Sequence, residues 1–402
     1  MSDPDAAQRR LRASVGLAEE RQHWPLALQA LPQDLAASSL TEPFSLPLLA
    51  DASHRLQQQR RRLLIGLNGP VGAGKSTLAR QLLQLAPRFG LRLAVASIDD
   101  VYLPLAERRR QLAGNPFGVS RVPPGSHDLP LLAEAIARWQ QGQTLRLPRF
   151  NKTLAGGEGE REGWSEHDAD VLVLEGWLVG CRALAEPSLE AALEAAAAAQ
   201  AGGSAQEGGG ASSTDRTAQA WLTPTPLERA WMPRWNRNLR SYGELWDQLD
   251  GLWILRPTRW TLPRRWRAQA EARQRRAGGG WLKAAELEAL VRASLLSLPP
   301  QLYQDPLLKA DQQQADQPAA TPSQDIDEAF PGPSSQAALT IGRSTEDNHD
   351  RRAPRPRGST TRAVALLDGQ RRCRWSGLTT DWPFKRSTNA QLSSESASSA
   401  TG

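Results

Sequence analysis

Short apolar runs separated by stretches of helical periodicity dominate the middle of the chain. Leu63–Leu67 is the first run, and it ends in a glycine-rich turn. Leu78, Leu82, Leu83 and Leu85 then recur at the spacing of one helix face. Leu91–Ile98, Val171–Leu174 and Leu252–Leu255 are further apolar runs. Uninterrupted apolar strands alternating with helices predict an α/β fold, with a parallel sheet between helices.

The flanks read differently. Leu26, Leu28, Leu31, Leu46, Leu48 and Leu49 predict short helices around prolines, an N-terminal helical extension over residues 1–60. Pro263–Arg276 is a basic helical stretch. Lys283–Leu298 is amphipathic, with Leu287, Leu290, Val291 and Leu295 on one side. Ala191–Ala220, an alanine run followed by glycine and serine, is expected to be a flexible insertion. After Asp311 the composition turns to Gln, Asp, Pro, Ser and Thr. Ala337–Ile341 is the candidate for a last strand. Residues 343–402, basic and Ser-rich, are expected to be disordered. The main domain is therefore placed at 61–342.

Composition narrows the function classes. Of 402 residues, 40% are hydrophobic, enough for a sizeable core. The net charge of +6 is local: residues 351–402 carry ten Lys and Arg against three Asp and Glu, so the first 350 balance at −1. A near-neutral body argues against nucleic acid as partner. Cys181 and Cys373 stand far apart in no metal spacing, which favours a reducing compartment. No apolar run approaches the roughly 18 residues of a membrane helix. The first residues lack a signal core and carry Asp3, Asp5, Glu19 and Glu20. A cytoplasmic protein without membrane contact, and a monomer, is expected. The 14 tryptophans have no explanation at this level.

Gly69-Pro70-Val71-Gly72-Ala73-Gly74-Lys75-Ser76 satisfies G-x-x-x-x-G-K-[ST], with a strand before it and a helix from Thr77 after it. Glycines at these spacings let consecutive N–H groups turn around phosphate oxygens, and the helix start adds its positive end. Lys75 is placed to reach the β- and γ-phosphates of ATP, and Ser76 to ligate Mg²⁺. The motif does not separate a kinase from a GTPase or an ATP-driven machine.

Asp99 and Asp100 follow the second apolar run, where ligands bind in open parallel sheets. They read equally as a general base with its neighbour or as a turn and cap. Glu175 closes the third run, the place of a Mg²⁺-holding acid or of a plain strand end. Arg121–Asp128 and Pro148–Arg161 read as loops, and Arg149, Lys152 and Arg161 together can hold a small anion. His127 is grouped with them, although a lone His is more often a satisfied polar group. Arg267 sits in the basic helical stretch, four residues before Glu271. That helix can act as a lid over phosphate or as a solvated face.

Taken in order, G-P-V-G-A-G-K-S-T, S-I-D-D-V-Y-L-P, G-N-P, P-P-G-S-H-D-L-P, P-R-F-N-K, V-L-E-G-W and W-R-A-Q-A-E resemble the plant- and cyanobacterial-type D-glycerate 3-kinases over about Leu63–Leu307. The wider group holds uridine kinase, phosphoribulokinase and pantothenate kinase. The resemblance implies transfer of the ATP γ-phosphoryl group to the 3-hydroxyl of D-glycerate, in photorespiratory carbon salvage. It implies Asp99 as general base, Asp100 as metal-side or supporting carboxylate, Glu175 as the Walker B-like acid and Arg267 in the lid, and Ser76, Asp99 and Glu175 are the expected metal ligands. Asp100, His127, Arg149, Lys152 and Arg161 fall on the substrate side. Val101 stands where relatives usually carry Phe, and Glu160 where Asp precedes Arg.

Two other readings remain. One keeps the fold and changes the acceptor to uridine, ribulose 5-phosphate or pantothenate. The other is a nucleotide-dependent regulator that grips a partner through its Arg-rich tail. Truncation near Gly342 separates them, since a kinase is expected to keep activity without the tail.

Overall fold

In chain order the elements are α1 (Pro4–Ser14), α2 (Leu46–Gln59), β1 (Leu63–Asn68), α3 (Lys75–Leu85), β2 (Leu93–Ser97), α4 (Leu105–Gln111), α5 (Leu129–Gln140), β3 (Leu145–Asn151), β4 (Glu160–His167), β5 (Val171–Gly176), α6 (Glu186–Gly202), α7 (Pro226–Arg240), β6 (Gly251–Pro257), α8 (Leu262–Arg276), α9 (Ala284–Leu296), β7 (Thr361–Leu367) and β8 (Cys373–Leu378). The computed structural model describes residues 3–17, 31–202, 220–276, 282–308 and 361–382, together with residues 217 and 278.

The main sheet runs β2-β5-β1-β6-β7-β8. All its pairings are parallel except β7 with β8. β1 and β5 are buried at every position, as strands covered on both faces must be. Alternate side chains then feed opposite cores. Leu64, Leu172, Leu174, Leu252 and Ile254 enter one. Ile65, Leu67, Val171, Val173, Trp253 and Leu255 enter the other, where α2 contributes Leu46 and Leu49. Trp139, Trp235, Trp246, Trp253 and Trp266 are fully buried, so much of the tryptophan excess is core volume.

The sheet's far edge corrects the reading of 343–402 as a disordered tail at residues 361–382. β7 pairs with β6, Leu255 opposite Ala365, and β8 folds back on β7. Ala363, Val364, Ala365 and Leu367 are fully buried. Mean composition hid a short apolar run inside a polar, Arg-rich segment. The candidate strand Ala337–Ile341 lies outside the described residues, as do 309–360 and 383–402. α1 closes on β8: a Cβ on Gly377 would lie 3.1 Å from that of Ala7, and Arg10 pairs with Asp381 at 3.0 Å.

Two local readings also change. The alanine run expected to be part of a flexible insertion is helical through α6, consistent with alanine's helix preference. Residues 203–216 lie outside the described residues. Pro148–Arg161, read as loop, is mostly an antiparallel hairpin of β3 and β4. Leu145 and Leu147 alternate with Arg146, and the register shifts just after Pro148, where a missing N–H is tolerated. No helix of the described residues is long and apolar enough to cross a membrane.

If β7 is part of the core, Leu367→Ala lowers unfolding free energy by about 2–5 kcal/mol in a denaturant titration. A disordered tail would register no change.

Candidate active site

β1, β5 and β2 end together, with Leu67 beside Glu175 and Glu175 beside Ser97. This shared carboxyl edge lets residues far apart in sequence line one cleft of about 150 Å³. The glycine-rich loop leaves β1 here. Gly69 donates its N–H to Gly176 O at 3.3 Å, tying the loop to β5. Gly72 and Gly74 take φ of 77° and 95°, left-handed geometry that glycine adopts without strain, and α3 starts at the next residue. Val71, Gly72, Lys75 and Ser76 line the cleft. Gly69, Pro70, Ala73, Gly74 and Thr77 complete the loop and the first turn.

Lys75 crosses the mouth of the loop, donating to Gly69 O at 2.9 Å and Pro70 O at 3.2 Å. Its Nζ lies 3.7 Å from Glu175 Oε2. Glu175 is buried, and Oε2 has no hydrogen-bond partner. A buried carboxylate oxygen beside the glycine-rich loop and the Ser76 hydroxyl fits a divalent cation. Such Mg²⁺ sites take one or two carboxylates and leave the remaining positions to phosphate and water. No cluster of three or more His, Cys, Asp or Glu placed to hold a metal occurs among the described residues, which that arrangement does not need.

Ser97 caps the short turn Ile98–Val101. Its Oγ accepts from Asp99 N–H at 3.3 Å, while its own N–H donates to Asp100 Oδ2 at 3.0 Å. Asp100 is turned back along the chain as a capping group, and Asp99 lines the cleft. Lys152 reaches in from the β3–β4 connection and donates to Asp99 Oδ2 at 2.6 Å. Burial opposes charge on Asp99, but Lys152, with help from the Tyr102 hydroxyl, holds the carboxyl well below its usual range. For Asp100 burial wins over the Ser97 N–H, and the charge of Asp99 adds to it, so its pKa is pushed up to about 6.

The other expected residues divide. Arg267 lines the cleft and pairs with Glu271 at 3.0 Å, the spacing read from sequence. His127 lies behind the wall, stacked on Tyr102 at 4.5 Å with Nδ1 2.7 Å from the Tyr242 hydroxyl. Burial lowers its pKa to about 4, so the ring is neutral at pH 7. The ring packs against the face of Tyr102. Arg161 is engaged elsewhere, donating to Tyr102 O and to Asp128 Oδ2, both at 2.8 Å. Arg149 is exposed, with Nε donating to Glu162 O at 3.2 Å. The structure does not bring Arg149 or Arg161 to the cleft, because both are spent bracing the hairpin.

Arg121 takes their place. It is 4% exposed, lines the cleft, and donates to Gly157 O at 2.6 Å. The next residue, Val122, has φ of 91°, a left-handed geometry that costs a β-branched residue about 1–3 kcal/mol unless its surroundings impose it. Arg108 is the second cation passed over. Fully buried, it donates to Leu103 O, Ser120 O and Glu158 O and also bonds Gly159 O, locking three loops around the cleft. In sequence it was one of three consecutive arginines. Only the fold tells which of them points inward.

Replacing Lys152 by Met removes the main group that opposes the burial of Asp99 and raises its pKa. The acid limb of the kcat/KM profile then moves to higher pH, which initial rates from pH 5 to 9 would detect.

Residues 64–182 match the phosphoribulokinase/uridine kinase family. Over 282 residues, 66% of this chain, it is 27% identical to a chloroplastic D-glycerate 3-kinase of Arabidopsis thaliana, covering 53% of that protein. Over 135 residues, 31% of this chain, it is 30% identical to the uncharacterized kinase mug58 of Schizosaccharomyces pombe, covering 49% of it. The chain thus spans about half the length of the curated relatives it matches. A solved D-glycerate 3-kinase from Cryptococcus neoformans shares the fold, with a TM-score of 0.57 at 23% identity over 82% of this chain and 99% of that one. Over residues 64–182 the chain is similar to the phosphoribulokinase/uridine kinase family, and over its longer matched span to D-glycerate 3-kinase.

Proposed function

We propose that the protein transfers the γ-phosphoryl group of ATP to the 3-hydroxyl of D-glycerate, giving 3-phosphoglycerate and ADP. The observation that carries this is the convergence of Lys75, Asp99, Arg121, Lys152, Glu175 and Arg267 on one cleft. The phosphate side is the loop of Gly69 to Thr77. The acceptor side is Asp99 with Arg121 and Lys152, a carboxylate base beside two cations. That suits a small hydroxy acid, whose carboxylate pairs with the cations while its hydroxyl faces the base.

Asp99 accepts the hydroxyl proton as the oxygen bonds to the γ-phosphorus and the bond to the β-phosphate oxygen breaks. Its low pKa keeps it ionised at every working pH, and Lys152 orients it. Lys75 and Arg267 offset charge on the transferring oxygens. Ser76 and Glu175 would hold Mg²⁺, which supplies neutralisation of the phosphate oxygens. Asp100 and His127 act from behind, one shaping the turn and the other backing Tyr102. The A. thaliana relative's name supports glycerate as acceptor, and the family resemblance implies photorespiratory salvage as the role. A partner-gripping tail has less support, since Arg371 and Arg374 are engaged within the fold.

The test is ADP release with Mg²⁺ and D-glycerate, L-glycerate, uridine, ribulose 5-phosphate or pantothenate. Turnover on D-glycerate alone is expected, and turnover on another acceptor only would overturn the assignment. Asp99→Asn is expected to lower kcat by about 10²–10⁴-fold with ATP binding retained, and Lys75→Ala to abolish turnover nearly completely.

A further inference from the structure

The turn joining β7 to β8 reaches the phosphate loop across 299 residues of sequence. Arg371 Nε donates to Gly72 O at 2.7 Å. Its Nη2 donates to Trp266 O in α8 at 2.8 Å, and the guanidinium lies 5.9 Å from the centre of the Trp266 indole. Trp266 answers with Nε1 donating to Gly369 O at 3.0 Å. One side chain therefore joins the loop, the helix carrying Arg267, and the C-terminal hairpin.

The turn is built to present that side chain. Asp368 Oδ1 accepts from the N–H groups of Gln370 and Arg372 at 2.8 and 2.9 Å, and its Oδ2 accepts from Arg374 Nε at 2.7 Å. Arg371 itself takes φ of 63°, a left-handed conformation unusual outside glycine. The loop beneath is correspondingly close. A Cβ on Gly72 would lie 2.8 Å from Arg267 N and from Trp266 Cβ.

A trans peptide points its C=O and N–H to opposite sides. Fixing Gly72 O outward therefore turns the Ala73 N–H inward, where it meets Pro70 O at 3.2 Å. We infer that Arg371 is a positioning residue of the phosphate loop, and that the C-terminal hairpin is a working part of the nucleotide site. This rests on the reading of that loop as a triphosphate site. It reverses the expectation that the chain keeps its activity when cut near Gly342, because the cut removes β7, β8 and Arg371 together.

The experiment compares the full chain with Arg371→Ala and with Gln370→Ala, an exposed neighbour on the same turn. MgATP affinity is measured by calorimetry, and hydrogen exchange is followed in the peptide holding Gly69 to Ser76. Arg371→Ala is expected to weaken MgATP about tenfold, the effect of one charge-assisted hydrogen bond. KM for ATP should rise more than kcat falls, and the loop amides should exchange faster. Gln370→Ala should match the full chain on every reading. Equal affinity and equal loop exchange in Arg371→Ala would overturn the inference. So would an equal loss in Gln370→Ala, which would mark a general weakening of the hairpin. If the full chain binds no MgATP, the triphosphate reading fails, and loop exchange alone still decides whether Arg371 positions the loop. Should Arg371→Ala not fold, Arg371→Lys, which lacks the planar fork that meets both carbonyls, is read in the same way.

Discussion

A glycine-rich loop has no side chains with which to hold its own peptide planes, so their orientation has to be imposed from outside. Here the restraints come from every side. β1 delivers the loop between β5 and β6, and the Gly69 N–H is fastened to Gly176 at the end of β5. Lys75 spans the mouth, donating to the carbonyls of Gly69 and Pro70. Trp266 and Arg267 press on Gly72 so closely that no Cβ fits there. Arg371 fixes the carbonyl on the outer side. The small size of glycine allows the loop to turn, and the packed surroundings keep it turned.

The same surroundings set the charges. Asp99 and Glu175 stand on neighbouring strand ends, each beside a lysine from a different element: Lys152 at 2.6 Å and Lys75 at 3.7 Å. Burial alone would favour the neutral form of Asp99. The nearby cation keeps Asp99 ionised, while Asp100, one residue on and facing a backbone N–H, is pushed up to about 6. Two adjacent aspartates thus behave oppositely because the Ser97 cap turns one inward along the chain and leaves the other toward the cleft.

Much of this was legible in the sequence where a residue's role is set by its near neighbours. The phosphate loop, the strand-end acids and the Arg267–Glu271 pair all follow from local spacing. β1, β5 and β6 follow from continuous apolar runs. The anion side was not legible, because it depends on which arginines the β3–β4 hairpin consumes. Arg149 and Arg161 stand beside Lys152 in sequence, yet both bond to the hairpin and its supports. Arg121, thirty-one residues before Lys152, faces the cleft instead. Composition misjudged the C-terminal segment for a related reason. A window average weighs all residues alike, whereas a strand of seven needs only its own short apolar run and an open edge to join.

That open edge explains why so distant a segment belongs to the site at all. β6 is an interior strand, with Leu252, Trp253, Ile254 and Leu255 all buried. Without β7 its outer side would present unpaired N–H and C=O groups beside an apolar surface, an edge that proteins avoid leaving bare. β7 satisfies it, β8 covers β7, and α1 lies against β8. A parallel strand added beside β6 necessarily ends at the same carboxyl edge as β1. Its following turn therefore emerges next to the phosphate loop, where Arg371 lies within reach of Gly72. Completing the sheet and bracing the loop are two consequences of one strand direction.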